Sequence, residues 1–225
     1  MIRLHNVGKE YPRTGVALNH VSFQMKKGEF VFITGPSGAG KSTVLRLIYM
    51  DEKPTHGEVR VSGLTSRTAS RHEIAMLRRK LGIVFQDFRL LDDRTAEANV
   101  AFALEVTGTP RAAIPPKVNR ALAQVGLASK ATRYPKELSG GEQQRVTIAR
   151  ALAGDPAIIW ADEPTGDLDS EKAQEVVDLL RKLNRERELS LVIVTHDIAV
   201  GRQTHRIIRM LDGQIVEELV PEGVQ

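Results

Sequence analysis

The feature that most limits what this chain can fold into is the run Gly35-Pro36-Ser37-Gly38-Ala39-Gly40-Lys41-Ser42-Thr43. It fits GxxxxGK[ST], a pattern in which glycines let successive backbone N–H groups turn inward around phosphate oxygens with no Cβ in the way. Chance produces the pattern in roughly one chain of this length in a hundred. A plain glycine-rich turn is the alternative, and the flanks argue against it. Ahead lies the compact apolar run Phe30-Val31-Phe32-Ile33; behind lies Ser42 to Ile48, with the apolar spacing of a helix. The helix adds its positive end to a phosphate site. Lys41 would place an ammonium on the β and γ phosphates, and the Ser42 hydroxyl an oxygen on Mg²⁺, a hard ion that prefers oxygen ligands.

The same logic organises the rest of the chain. Ile2 to Val7, Val21 to Met25 and Phe30 to Thr34 read as strands, as do Leu81 to Phe85, Ala157 to Trp160 and Leu191 to Val194. Glu171 to Asn184 reads as a helix, with Ala173, Val176, Val177, Leu180 and Leu183 recurring at three and four residues. Helix alternating with apolar strand predicts an α/β fold with a parallel sheet. Ligands bind beyond the carboxyl ends of such strands, where Gly35, Asp162 and His196 would meet. Residues 87 to 155 lack obvious strands and read as an inserted helical subdomain, with Pro110, Pro115 and Pro116 marking a loop; residues 1 to 86 and 156 to 225 form the core of one domain.

Asp162-Glu163 follows the apolar run Ile158-Ile159-Trp160-Ala161. Alone, such a pair is usually a helix cap or a solvated turn. Beside a phosphate loop the two acids divide the work: Asp162 orients Mg²⁺ and Glu163 polarises a water for attack on the γ phosphate. Two residues keep two readings each. His196 is a polar cap on a buried strand or a phosphate contact, and Gln86 satisfies local backbone or reaches the metal and the water.

Composition narrows the function classes. At 225 residues the chain is about 1.5 times an ordinary domain length, which excludes a tandem machine. Six Phe, three Tyr and one Trp leave few rings for stacking single-stranded nucleic acid. The absence of Cys excludes disulfides and thiolate-bound metals, and a net charge of +4 suits phosphate ligands or an anionic membrane surface without requiring either. No apolar run is long enough to cross a membrane or serve as a secretory signal.

Leu138-Ser139-Gly140-Gly141-Glu142-Gln143 opens a helix from Gln144 to Ala153, and Ser139 with Glu142 satisfies the S-x-x-E capping box. A cap does not need both glycines, and the hexapeptide arises by chance in on the order of one such chain in 10⁵. With the phosphate loop and the Asp162-Glu163 pair, it resembles the LSGGQ-like signature of the ATP-binding-cassette (ABC) ATPases, in the family's order from Tyr11 to about Gly213. The resemblance implies an ABC-type P-loop NTPase: a RecA-like, mainly parallel core, an N-terminal antiparallel β subdomain and the inserted helical subdomain. It implies a homodimer formed on ATP binding, each ATP held between the glycine loop of one copy and the signature helix of the other. Tyr11 is similar to the family's adenine-stacking aromatic, Gln86 to its metal- and partner-sensing glutamine, and Ser139 with Gly141 to its trans γ-phosphate clamp. Glu163 resembles the catalytic base, His196 the switch histidine and Asp169 the interface aspartate.

Within the family, residues 85 to 91 and Asn99 to Leu104 look most like the bacterial cell-division branch, whose members work with the membrane protein FtsX. That implies an FtsX-like or permease-like integral membrane subunit, a place on the cytoplasmic face of the membrane and no nucleic-acid partner. Lipoprotein-releasing and macrolide-export ATPases are the next alternatives, and soluble cassettes acting on DNA or ribosomes a further one. Ala96 and Ala98 around Glu97, Trp160 and Asp167 depart from the branch's pattern. Phe88, Leu90 and Leu91 form either an exposed patch for the partner or part of the core.

Overall fold

The apolar runs of residues 30–33, 158–161 and 191–194 lie side by side as central strands of one sheet. The computed structural model describes residues 1–195 and 197–221. The chain opens with β1 (Ile2–Tyr11) and β2 (Gly15–Met25), then β3 (Phe30–Thr34) and α1 (Lys41–Ile48). There follow β4 (His56–Val61), β5 (Leu64–Thr65), α2 (Arg71–Arg78) and β6 (Leu81–Val84). A strand-free stretch carries α3 (Ala96–Val106), α4 (Ile114–Gln124) and α5 (Gly140–Leu152). The remainder is β7 (Ile158–Asp162), α6 (Ser170–Arg187), β8 (Ser190–Val194), the short α7 (Ile198–Gly201), β9 (Arg206–Leu211) and β10 (Gln214–Leu219).

The six-stranded sheet has the order β10-β9-β3-β8-β7-β6. Five strands run parallel, and β10 folds back antiparallel on β9. The second sheet, β2-β1-β4-β5, is antiparallel. The α/β architecture expected from the sequence is therefore present, with its mainly parallel core, N-terminal antiparallel sheet and helical insertion.

Strand alternation divides the core in two. Phe30, Phe32, Ile159, Ala161, Leu191 and Ile193 face one cluster, completed by residues of α3 to α6. Val31, Ile33, Ile158, Trp160, Val192 and Val194 face the other, filled by α1 and the antiparallel sheet. A strand buried on both faces has no polar side to show, which is why these runs are continuously apolar. Trp160, the bulky departure at this position, is 3% exposed in the second cluster, among the largest side chains there.

Some local expectations are corrected. Pro115 and Pro116 do not mark a loop: they occupy the first turn of α4, where a missing N–H costs nothing and the fixed φ is already helical. β1 and β2 run past the predicted strands because bulges near Val7 and Lys9 break the alternation without ending the pairing. Phe88, Leu90 and Leu91 are all half-buried, and Leu90 packs on the first core cluster, so they make no exposed patch.

Candidate nucleotide site

β3, β7 and β6 all end at one edge of the sheet, and a cleft of about 610 Å³ opens beyond them. Its walls bring together Gly35, Pro36, Ser37, Lys41 and Ser42 from the glycine loop, Gln86 after β6, and Asp162 and Glu163 at the end of β7. Gly38, Ala39, Gly40 and Thr43 complete the loop and the first turn of α1 without lining that cleft, Ala39 being buried in the core.

The loop's shape depends on its glycines. A Cβ on Gly35 would stand 2.2 Å from the Met210 carbonyl oxygen. Gly40, at φ 98°, caps α1 in the left-handed region, where a Cβ would meet Leu18 Cδ2 at 2.6 Å. No side chain caps this helix and no acid lies in its first turn, so its leading N–H groups and positive end are left for an anion. The Lys41 ammonium donates to the carbonyl oxygens of Gly35 (2.7 Å) and Pro36 (2.9 Å), which holds the cation across the mouth of the loop.

Opposite lies a crowded acidic wall. Burial and the adjacent Glu163 carboxylate push the Asp162 carboxyl above its ordinary range, against the opposing pull of Lys41 and Arg89. Glu163 adopts φ 46°, uncommon for a residue with a side chain, and its N–H bonds the Val194 carbonyl at 2.7 Å. Such strain persists where neighbouring structure holds it, often at functional sites.

Four cleft residues escaped the sequence reading of site roles: Phe85, Asp87, Arg89 and Asp167. Arg89 stacks on the Phe85 ring at 3.9 Å and pairs with Asp87 at 2.9 Å. Asp167 accepts a bond from Gln86 Nε2 at 3.1 Å. Phe88 and Arg89 both have positive φ, a local backbone choice with no glycine to signal it. Arg150 of α5 donates to the carbonyls of Phe88 (2.8 Å) and Arg89 (2.5 Å), tying the signature helix to the segment after Gln86.

The other expected site residues stand outside this cleft. Ser139 caps α5: its Oγ accepts from the Glu142 N–H at 3.4 Å, while Glu142 Oε2 accepts from the Ser139 N–H at 2.9 Å. Lys130 pairs with Glu142, and this bond, with the Ser139 N–H, holds the Glu142 carboxyl below its ordinary range. A Cβ on Gly140 would touch Leu168, and one on Gly141 would touch Lys172, so the signature glycines admit the turn after β7 and the start of α6. Asp169 caps α6, accepting from the Lys172 N–H at 3.0 Å and pairing with its ammonium. Tyr11 ends β1 beside Arg46 and Glu52, with Lys9 Nζ 4.9 Å from its ring centroid. His196 lies outside the described residues.

Comparison with known proteins agrees with this geometry. A family model described as ABC transporter matches residues 18–166. The cell division ATP-binding protein FtsE of Bacillus subtilis is 45% identical over 219 residues, 97% of this chain and 96% of that protein. The methionine import ATP-binding protein MetN of Carboxydothermus hydrogenoformans is 45% identical over 227 residues, 100% of this chain and 67% of that protein. A dimeric post-hydrolysis structure of the ATP-binding cassette MJ0796, bound to ADP and Pi, superposes with a TM-score of 0.87 at 41% identity, covering 99% of this chain and 100% of that one. The matched family model, the fold and the phosphate loop agree: this chain belongs to the ABC transporter family and is an ABC-type ATPase domain.

Proposed function

We propose that two copies of this chain close around two ATP molecules, hydrolyse them and thereby move an integral membrane partner. One observation carries the dimer: within a single chain Ser139 and Gly141 stand outside the cleft that holds Lys41, Asp162 and Glu163. A second copy can bring that α5 terminus to a γ phosphate cradled here, and the cassette MJ0796 is dimeric.

In this reading the backbone N–H groups of the glycine loop and the first turn of α1, Pro36 aside, cradle the phosphates, Lys41 turns from its carbonyl partners to the β and γ oxygens, and Tyr11 stacks on adenine. Glu163 accepts the proton of the attacking water. His196, read by resemblance as the switch histidine, holds the γ phosphate, and Asp169 faces the other copy. The donors present fit Mg²⁺: the Ser42 hydroxyl, the Gln86 carbonyl and the Asp162 carboxylate are hard oxygens in one cleft. So few protein donors suit an ion that keeps waters and shares phosphate oxygens. Among the described residues no three or more His, Cys, Asp or Glu side chains gather into a metal cage. Bound Mg²⁺ would neutralise charge on the β and γ phosphates. Excluding water as the dimer closes strengthens every charged contact in the site.

The partner reading rests on the family and on one surface. Among the described residues no helix is long and apolar enough to cross a membrane. Phe102 and Val106 of α3 are 38% and 65% exposed and line a groove of about 340 Å³ with Leu81 and Ile83 of β6, the groove also bordered by Arg78, Arg79 and Arg150. An amphipathic cytoplasmic helix of a membrane subunit would bury that apolar face. The likeness of residues 85–91 and 99–104 to the cell-division branch favours an FtsX-like partner over a methionine-import or exporter permease, and supports a position at the cytoplasmic face of the membrane.

Glu163→Gln tests the chemistry. The variant keeps ATP bound while turnover falls by about 10²- to 10⁴-fold, the usual weight of a general base; hydrolysis at the parental rate would remove Glu163 from its role. Co-purification with a membrane subunit supports the partner, whereas tight duplex binding at physiological salt would favour a soluble nucleic-acid ATPase.

A further inference from the structure

Gln86 and Asp167 leave the sheet on neighbouring strands. β6 pairs with β7 in parallel, Val84 opposite Ala161, so the segments following them emerge side by side. Two consecutive turns, Gly166 N–H to Glu163 carbonyl (3.1 Å) and Leu168 N–H to Thr165 carbonyl (3.2 Å), bring Asp167 back towards the cleft. Gly166 makes room for the contact: a Cβ there would stand 3.0 Å from Gln86 Nε2 and 3.1 Å from Cδ. The Gln86 amide thus lies over Gly166 and donates to Asp167 Oδ1 at 3.1 Å.

The chemistry of this pair is one-sided. An ionised carboxylate only accepts, so Gln86 must offer it the NH₂ end, and Oε1 is the end left for the cleft that Ser42 and Asp162 also line. An asparagine at 167 could meet either end of the amide and would leave its orientation open.

We infer that Asp167 is a positioning residue that locks the Gln86 amide with its oxygen available to the metal and water. The inference rests on the ATP and Mg²⁺ reading above and deepens it. Asp167 acts on the cleft through Gln86, and the parent's sensitivity to Mg²⁺ depends on that hydrogen bond.

The test is a double-mutant cycle on the full chain, with Asp167→Ala, Gln86→Ala and the pair, at concentrations where light scattering reports monomers. The readout is binding of a fluorescent ATP analogue in EDTA and across a Mg²⁺ titration. Asp167→Ala should raise the half-saturating Mg²⁺ about three- to tenfold, as expected for loss of one solvent-exposed hydrogen bond, and leave affinity in EDTA unchanged. In the Gln86→Ala background the same substitution should add nothing. Asp167→Asn, close in shape and safe against misfolding, should fall between parent and Asp167→Ala. Additive effects of the two substitutions, or an unshifted Mg²⁺ midpoint in both Asp167 variants, would overturn the inference alone. A parent chain that failed to bind the analogue at any Mg²⁺ concentration would instead overturn the ATP reading beneath it.

Discussion

Two helix N-termini carry the sequence signals, and they are built in opposite ways. α1 starts at Gly40, left-handed, without a side-chain cap or an acid in its first turn. α5 starts at Ser139 inside a reciprocal capping box, with Glu142 in the first turn and Lys130 paired to it. Both helices carry the same partial positive charge at this end. The first leaves its leading N–H groups for a ligand; in the second the box satisfies the N–H groups of Ser139 and Glu142. The contrast teaches that α1 can bind a phosphate alone, whereas α5 is a preformed and stable end that adds to a phosphate held elsewhere.

Lys41→Ala is the most severe way to break that contrast. Losing a charged donor to phosphate should weaken ATP binding by about 10- to 100-fold in isothermal titration. An unchanged affinity would mean that α1 and its loop do not hold the phosphates. Ser139→Ala should leave the affinity of a monomeric chain where it was, since Ser139 is outside the cleft, and should cost about 1 kcal/mol of stability as the cap is lost. Weaker monomer binding in that variant would show that the two ends are not separate.

The carboxylate facing the α1 loop and the one in the α5 cap also differ in their response to pH. Folding raises the Asp162 pKa, so the folded chain holds that proton more tightly and stability falls as pH rises through the interval between unfolded and folded values. Above the folded value the whole penalty is present. Asp162→Asn should therefore raise the Tm of the nucleotide-free chain by a few degrees while abolishing Mg²⁺-dependent hydrolysis; a lower Tm would contradict the assigned burial cost. Glu142 has the opposite sign. Its folded pKa is depressed, so its stabilisation is present above the unfolded value of about 4.3 and is lost as pH falls through the folded value. Glu142→Gln should flatten the acid limb of a stability–pH curve slightly, the smallest effect expected here.

Much of this was readable from residues alone, because the constraints are local. Glycines at 35 and 40 specify a backbone that side chains would block, Gly38 sits at a positive φ that favours glycine, S-x-x-E at 139 to 142 specifies a cap, and two-sided burial makes β3, β7 and β8 continuously apolar. What escaped depends on tertiary placement. Asp167 reaches Gln86 only because β6 and β7 are neighbours, and 81 residues separate the two in sequence. Pro115 and Pro116 signal a chain break in sequence but start α4, since the same stiffness serves either use. Phe88, Leu90 and Leu91 look like a patch until Arg150 and the first core cluster cover that segment.

The central claim is that the glycine loop of one copy and the capped α5 terminus of another hold the same nucleotide. Multi-angle light scattering of Glu163→Gln, with bound nucleotide counted in the same peak, tests it most directly. Without nucleotide the chain should run at its 24.9 kDa monomer mass. With saturating Mg²⁺ and ATP it should run at twice that mass and carry two ATP molecules. A chain that binds one ATP and stays at the monomer mass would contradict the account.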